Sequence, residues 1–320
     1  MFQIIKRGVV IPFMKIATIV EVICLALVIG SIYLLCTKGL TWGLDFTGGA
    51  VVEISDPQEV DLNKVRGALA NEGIGSAVVQ HFGTVRDVSI RFQPKGDDNQ
   101  ASVTQKVSKA ALSVDSKARV VRSEFVGPAV GEELVTSGAI AIVVSLLIIL
   151  IYILGRFEWR MALGAVISLV YDVFVVLGFF SYFGVEYDLT VLAAVLTVLG
   201  YSLNDKIVVF DRIRENARRL HKMNMVDLFN LSLTETLSRT IITSGTTLIT
   251  VFSLLIFGGE MIYGFSLALA IGIIFGTISS IYVASTWPLL LHISRENLLP
   301  MEIKKDDADL EDEGSYGRKA

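Results

Sequence analysis

The stretch VLTVLGYSLNDKIVVFDRIREN, residues 195–216, sets three polar side chains inside an apolar segment. Asn204, Asp205 and Lys206 stand next to one another, and the segment is apolar again directly after them. Ionisable side chains are costly inside a bilayer, and those that occur there are candidates for function. The stretch therefore predicts a membrane-spanning helix that carries an ionisable site.

The composition points to a membrane protein. The chain has 320 residues, of which 52% are hydrophobic and 19% are charged. A soluble protein of this length needs more polar surface, so the excess apolar side chains must face a medium other than water. The net charge of −4 argues against a nucleic-acid partner. The three histidines are scattered without ligand spacing, so we predict no metal site and no cofactor.

Six apolar runs are long enough, at about 20 residues each, to cross a bilayer as helices. We predict spans at 16–36, 136–155, 162–183, 189–210, 241–258 and 265–287. Residues 1–15 precede the first span, and residues 288–320 form a charged tail that is poor in apolar residues. Such a composition predicts a disordered extension.

Basic residues in the short connections predict the orientation. They occur between spans two and three, after span four and after span six (Arg156, Arg160, Arg212, Arg214, Arg218, Arg219, Lys222, Arg295, Lys304 and Lys305). Basic flanks mark the cytoplasmic side of a membrane protein. Both termini are therefore predicted to be cytoplasmic, which places residues 37–134 outside.

Residues 37–134 are polar enough to form a water-exposed domain. Alternating apolar residues predict strands at 50–54, 77–82, 88–92 and 118–126, and helical periodicity predicts helices at 57–73 and 103–114. Residues 83–87, GTVRD, are predicted to form the turn between the second and third strands. The order βαββαβ predicts a ferredoxin-like α+β domain inserted into an α-helical bundle of six transmembrane helices.

The glycine-rich segment GLDFTGG, residues 43–49, opens this domain. It lacks the GxxxxGK[ST] pattern of a phosphate-binding loop and does not lie between a strand and a helix. We therefore interpret Gly43, Asp45, Gly48 and Gly49 as a structural motif, a tight turn that leads into the first strand. No ATP site is predicted.

The depth of the ionisable residues selects the candidates for an ion site. Asp205 lies about 24 Å along span four, in the cytoplasmic third of a core that is ~30 Å thick. Arg239 enters span five at a comparable depth, and Asp172 lies in the middle of span three. A neighbouring arginine changes whether a buried carboxyl group holds a proton, so movement of these helices can bind or release one. The alternative is a static pair of Asp205 and Arg239 that only holds two helices together.

Asn204 and Lys206 are candidate modulators of this site. Lys206 points about 100° away from Asp205 around the helix. We expect the Lys206 side chain to reach the cytoplasmic interface or to face a partner.

Four segments together resemble one family. GLDFTGG, VGPAVGEEL (126–134), GYSLNDKIVVFDRIREN (200–216) and LSRTIITSGTTL (237–248) are similar to segments of the SecF branch of the SecD/SecF protein-export family. This family belongs to the resistance–nodulation–division superfamily. The resemblance implies a bacterial inner-membrane subunit that uses a proton gradient, or a sodium gradient, to drive late steps of preprotein export.

The resemblance also implies partners and residue roles. The partners are SecD, the Sec translocation channel, YajC and unfolded preprotein. The ion-coupling aspartate of the family falls on Asp205 and its essential arginine on Arg239, while an aspartate of the third span falls on Asp172. Two positions depart from the family: Tyr171 replaces a common histidine, and Lys206 replaces a small hydroxyl residue.

Two other functions stay open at this point. One is half of an ion-driven small-molecule exporter of the same superfamily, although the single outer domain leaves little room for a drug pocket. The other is a passive scaffold of the translocation channel. An enzymatic function is not predicted, because no nucleotide loop, metal cluster or nucleophile with its base stands out in the sequence.

Overall fold

The computed structural model describes residues 10–82, 84–94 and 99–298. The prediction for residues 1–9 and the disorder prediction for 299–320 lie outside these ranges. The described chain divides into two compact units. Thr41–Ala141 and Glu186–Leu189 form the sheet unit, and the remaining described residues form the helical unit.

The elements alternate between the two units along the chain. The helices are α1 (Phe13–Thr37), α2 (Leu44–Thr47), α3 (Leu62–Asn71), α4 (Gln100–Val114), α5 (Pro128–Arg156), α6 (Trp159–Phe183), α7 (Leu189–Arg219), α8 (Met225–Phe257), α9 (Tyr263–Ile281), α10 (Val283–Leu290) and α11 (Arg295–Leu298). The strands are β1 (Thr41–Trp42), β2 (Gly49–Ser55), β3 (Val78–Phe82), β4 (Thr84–Phe92), β5 (Arg119–Val126) and β6 (Glu186–Tyr187).

The sheet unit contains an antiparallel four-stranded sheet with the order β3-β4-β2-β5. Alternate residues of β2 point into its core, and Ala50, Val52 and Ile54 are buried there. The same core contains Val65 of α3 and Val107 of α4. A strand with one apolar face needs such a cover, which explains why two amphipathic helices accompany the sheet.

Two predictions for this unit were wrong at the element boundaries. The proposed turn at 83–87 is mostly strand, since β4 begins at Thr84, and Gly83 lies outside the described residues. The carbonyls of Val85 and Arg86 accept hydrogen bonds from the N–H groups of residues 60 and 56, which hold this segment extended. The predicted helix 57–73 begins only at Leu62, because Asp61 caps it by accepting a hydrogen bond from the N–H of residue 63.

The helical unit holds the candidate membrane spans. Among the described residues, six helical segments are long and apolar enough to cross a bilayer, with α9 and α10 together forming the sixth. Each of these segments contains an apolar stretch of 18 residues. In α6, α7 and α9–α10, 50 to 61% of this stretch is buried, whereas in α1, α5 and α8 only 11 to 17% of it is buried. The first three therefore form the centre of the bundle, and the others present apolar surface outwards.

Two of the spanning helices are longer than predicted. Helix α7 continues to Arg219, beyond the predicted end at residue 210, and α8 begins at Met225 instead of residue 241. Ion pairs support the extension, with Arg212 bound to Glu215 at 2.6 Å and to Glu235 of α8 at 2.7 Å. The basic segment after span four is thus a helical continuation of the span, and its charges have acidic partners.

Candidate intramembrane ion site

A buried polar cluster lies where three central helices meet. Asp172 comes from α6, Ser202 and Lys206 come from α7, and Ser279 and Ser280 come from α9. Ser202 and Lys206 are four residues apart, which places them on one face of α7. All five side chains are buried. The arrangement brings a carboxylate, an ammonium group and three hydroxyl groups together at a depth where water is scarce.

The carboxylate of Asp172 has partners on both oxygens. The Ser279 hydroxyl donates to Oδ1 at 2.6 Å, and the Ser202 hydroxyl donates to Oδ2 at 2.6 Å. The ammonium group of Lys206 lies 3.3 Å from Oδ2. Charge-assisted hydrogen bonds of this kind are stronger than those between neutral groups. Asp172 is therefore held in place by groups of two other helices.

The prediction that the Lys206 side chain reaches the cytoplasmic interface or faces a partner was wrong. Its side chain is 0% exposed, so it reaches neither an interface nor a partner. Its ammonium group donates to Asp172, to the Ser202 hydroxyl and, at 3.2 Å, to the Ser280 hydroxyl. These acceptors offset the cost of burying the charge. Sequence spacing could not show the contacts with Asp172 and Ser280, because these residues come from two other helices.

Small residues make room for the cluster. A Cβ atom at Gly276 of α9 would lie 3.1 Å from Oγ of Ser202 and 3.7 Å from Oδ2 of Asp172. At Gly272, one turn earlier, a Cβ atom would overlap the side chain of Val198. Both glycines therefore allow close helix packing.

Asp205 differs from Asp172 in its surroundings. Its side chain is buried, and the positive charges that act on it belong to Lys206 and Arg239. Within the described ranges no side-chain hydrogen bond and no ion pair within 4.0 Å engages its carboxylate. The Arg239 guanidinium is exposed and stays beyond ion-pair distance. Asp205 is thus a buried acid without a fixed partner, and the predicted direct pair is not formed in this structure.

A polar groove of about 340 Å³ leads to Arg239. It lies between the extended parts of α7 and α8 and is lined by Val208, Asp211, Arg212, Glu215, Glu235, Thr236 and Arg239. Five of these seven side chains are charged, which favours water in the groove. Asn204, the other predicted modulator, is exposed on the outer side of α7.

The GLDFTGG motif anchors the start of α7. Oδ2 of Asp45 accepts a hydrogen bond from the N–H of Leu189, the first residue of α7, at 2.9 Å. The N–H of Gly43 donates to the carbonyl of Tyr187 at 2.9 Å, next to the short parallel pair of β1 and β6. Gly48 and Gly49 have φ values of 66° and 123°, which side chains rarely tolerate. The motif is a tight turn that also caps the helix carrying Asp205.

Sequence reasoning missed the serines of the cluster. Ser202 precedes Lys206 by four residues, and Ser279 and Ser280 are adjacent in the sixth span. The spacing of Ser202 and Lys206 was the available signal, because it places a hydroxyl group beside the ammonium group on one helix face. The pair in α9 had no such signal, since small polar residues in spans more often serve packing.

The fold and the site define a class: an integral membrane protein with six apolar helices, an inserted α+β unit and buried acids at its centre. Residues 106–295 match the family described as "Protein export membrane protein SecD/SecF, C-terminal", and residues 33–55 match the "SecD/SecF GG Motif". The chain belongs to this SecD/SecF family.

Relatives and solved structures agree with this assignment. The protein translocase subunit SecF of Vibrio alginolyticus is 47% identical over 98% of this chain and 99% of its own length. The subunit of the same name from Escherichia coli O157:H7 is 45% identical over 88% of both chains. The crystal structure of SecDF from Thermus thermophilus, a translocon-associated membrane protein, has a TM-score of 0.78 and 35% identity and covers 89% of this chain. This chain spans only 39% of that SecDF chain.

Proposed function

We propose that this chain is a protein translocase subunit that, together with SecD, uses the transmembrane ion gradient to drive late steps of preprotein export through the Sec channel. Asp205 takes up and releases the ion, and Arg239 modulates this exchange. The observation that carries the proposal is the contrast between the two buried acids. Asp172 is held by two hydroxyl groups and an ammonium group, whereas Asp205 has no fixed partner.

The position of Arg239 supports its role. It lies beside a polar groove and acts on Asp205 through its charge without contact. A small movement of α8 relative to α7 would bring the guanidinium to the carboxylate and change whether Asp205 holds a proton. Proton uptake and helix movement are then coupled.

We further propose that the sheet unit is a ferredoxin-like domain on the outer side of the bacterial inner membrane, with both termini inside. The order of its main elements, βαββαβ, and the sheet order β3-β4-β2-β5 support the fold. The basic residues in the last turns of α5 and α7 and after α10 support the orientation. Within this unit, Asp45 accepts a hydrogen bond from the N–H of Leu189, the first residue of α7.

The outer face of α7 and α8 supports SecD as the partner. Asn204, Thr246 and Thr250 are exposed there, and Gly245 has open space around its Cβ position. Polar and small residues at membrane depth are suited to packing against other helices rather than lipid. The solved SecDF chains, of which this chain spans about two fifths, support a second half of this kind. The Sec channel, YajC and unfolded preprotein are proposed as further partners on the family assignment, without a cofactor and without nucleotide hydrolysis by this chain.

The test is preprotein export into inverted membrane vesicles that contain the Sec channel, SecD and this chain. Export is driven by the channel's own ATPase and measured with and without an imposed proton gradient. We expect Asp205→Asn to abolish the stimulation by the gradient, because the amide cannot exchange a proton. The matched control is Asp211→Asn, which removes an acid of the same helix that is paired with Arg156 at its exposed end.

The abundance of the complex is measured by blotting in each vesicle preparation. Loss of stimulation in Asp205→Asn but not in Asp211→Asn, with equal abundance, supports coupling through Asp205. Full stimulation in Asp205→Asn contradicts it and favours the passive scaffold.

A further inference from the structure

The hydrogen-bond acceptors that surround the ammonium group of Lys206 in the described chain are all oxygen atoms. Oδ2 of Asp172 lies 3.3 Å from Nζ, the Ser280 hydroxyl 3.2 Å and the Ser202 backbone carbonyl 3.4 Å. The Ser202 hydroxyl is a fourth, closer oxygen. These atoms come from α6, α7 and α9, so the position is formed by the packing of three helices.

The donor set is that of a site for a hard cation. Carboxylate, hydroxyl and carbonyl oxygens are the ligands that hard cations prefer over nitrogen or sulfur. The site contains a single carboxylate, so one positive charge neutralises it. A divalent cation would leave an uncompensated charge in a fully buried place, which is unfavourable. The composition of the site therefore fits a monovalent cation such as sodium.

We propose that Asp172, Ser202 and Ser280 form a monovalent-cation site, and that Lys206 is a tethered cation that occupies it permanently. The covalently attached ammonium group excludes sodium from Asp172. Resting on the proposed function, this leaves Asp205 as the acid that exchanges an ion. Lys206 thus determines ion specificity because its ammonium group occupies the site at Asp172. It does not bind the transported ion itself.

Removing the amine while keeping the oxygens should open the site. Lys206→Ser shortens the side chain and leaves the carboxylate, the two hydroxyl groups and the carbonyl in place. Gly276 borders the same space without a side chain, so the vacated volume stays accessible to an ion. The variant is expected to bind sodium where the original protein does not.

The experiment measures thermal unfolding of the purified full-length protein in detergent. Sodium chloride is compared with N-methylglucamine chloride at equal ionic strength. We expect the midpoint of the original protein to be the same in both salts. For Lys206→Ser we expect sodium to raise the midpoint by about 3 °C or more, because a ligand that binds only the folded state stabilises it.

The double variant Asp172→Asn/Lys206→Ser is the control, because it removes the carboxylate together with the amine. We expect it to show no difference between the salts. A lack of sodium response in Lys206→Ser, or an equal response in the double variant, overturns the proposal. If Lys206→Ser fails to fold in both salts while the double variant folds, the site accepts no free cation and the proposal is also overturned. The readout does not involve export, so its failure is distinct from failure of the proposed function.

Discussion

At the scale of single residues, the two buried aspartates differ in the groups that surround their carboxylates. Their depth in apolar segments was sufficient to select both Asp172 and Asp205 from the sequence. Their difference was not predictable, because it depends on which side chains of other helices face each acid. Lys206 shows this most clearly: it follows Asp205 in the chain, yet its ammonium group binds Asp172. Adjacent residues on a helix point about 100° apart, so neighbours in sequence can serve different sites.

The Asp172–Lys206 pair predicts a specific pattern of stability. Asp172→Asn leaves the ammonium group buried without its counter-charge, and we expect a loss of about 3 to 5 kcal/mol in the free energy of unfolding. Asp172→Asn/Lys206→Met removes both charges and keeps a side chain of similar length, so we expect a smaller loss than in the single variant. Denaturant unfolding of the purified chain compares the two. Equal losses in both variants would show that the pair contributes no mutual charge compensation.

At the scale of elements, periodicity predicted which helices and strands exist but not where they end. The alternation of apolar residues was enough to locate the four main strands. The ends of α7 and α8 were misplaced because ion pairs such as Arg212 with Glu235 stabilise helix beyond the apolar stretch. The length of an apolar run indicates which residues cross the bilayer, but it does not indicate where the helix ends. The GLDFTGG motif could be recognised as a turn, whereas its contact with Leu189 joins residues that are far apart in the chain.

This contact makes α7 sensitive to Asp45. We expect Asp45→Ala to cost about 1 kcal/mol locally, as the loss of a helix cap does, because the N–H of Leu189 loses its acceptor. Hydrogen exchange of the full-length protein should speed up at β6 and in the first turn of α7. In the vesicle assay we expect reduced stimulation of export by the gradient.

The control for this prediction is Asp61→Ala, which removes a comparable cap from α3. Faster exchange there should stay within α3 and leave the stimulation unchanged. If Asp45→Ala leaves exchange at the start of α7 as it was, the motif does not hold this helix.

At the scale of the whole molecule, six spans and one inserted α+β unit were predictable because apolar length and composition are properties of the sequence alone. What the sequence leaves open is which faces of the bundle meet lipid and which meet protein. In the described chain, α8 has one of the least buried apolar windows and still carries exposed hydroxyl groups, including those of Thr246 and Thr250. Their hydroxyl groups donate to backbone carbonyls one turn earlier, and small polar residues of this kind are suited to packing against another helix.

A large side chain at Gly245 tests whether SecD packs against this face of α8. Apart from its two chain neighbours and the backbone of its own helix, no atom of the described residues lies within 4 Å of its Cβ position, so Gly245→Trp should fold normally when the chain is expressed alone. We expect it to lower the amount of SecD that copurifies with the chain at least tenfold, because the indole would occupy space that SecD needs for close helix packing. Gly155→Trp, in α5, is the matched control, since its Cβ position is equally open and should tolerate the same side chain without loss of SecD. Equal copurification of SecD with both variants would place the partner on another face of the bundle.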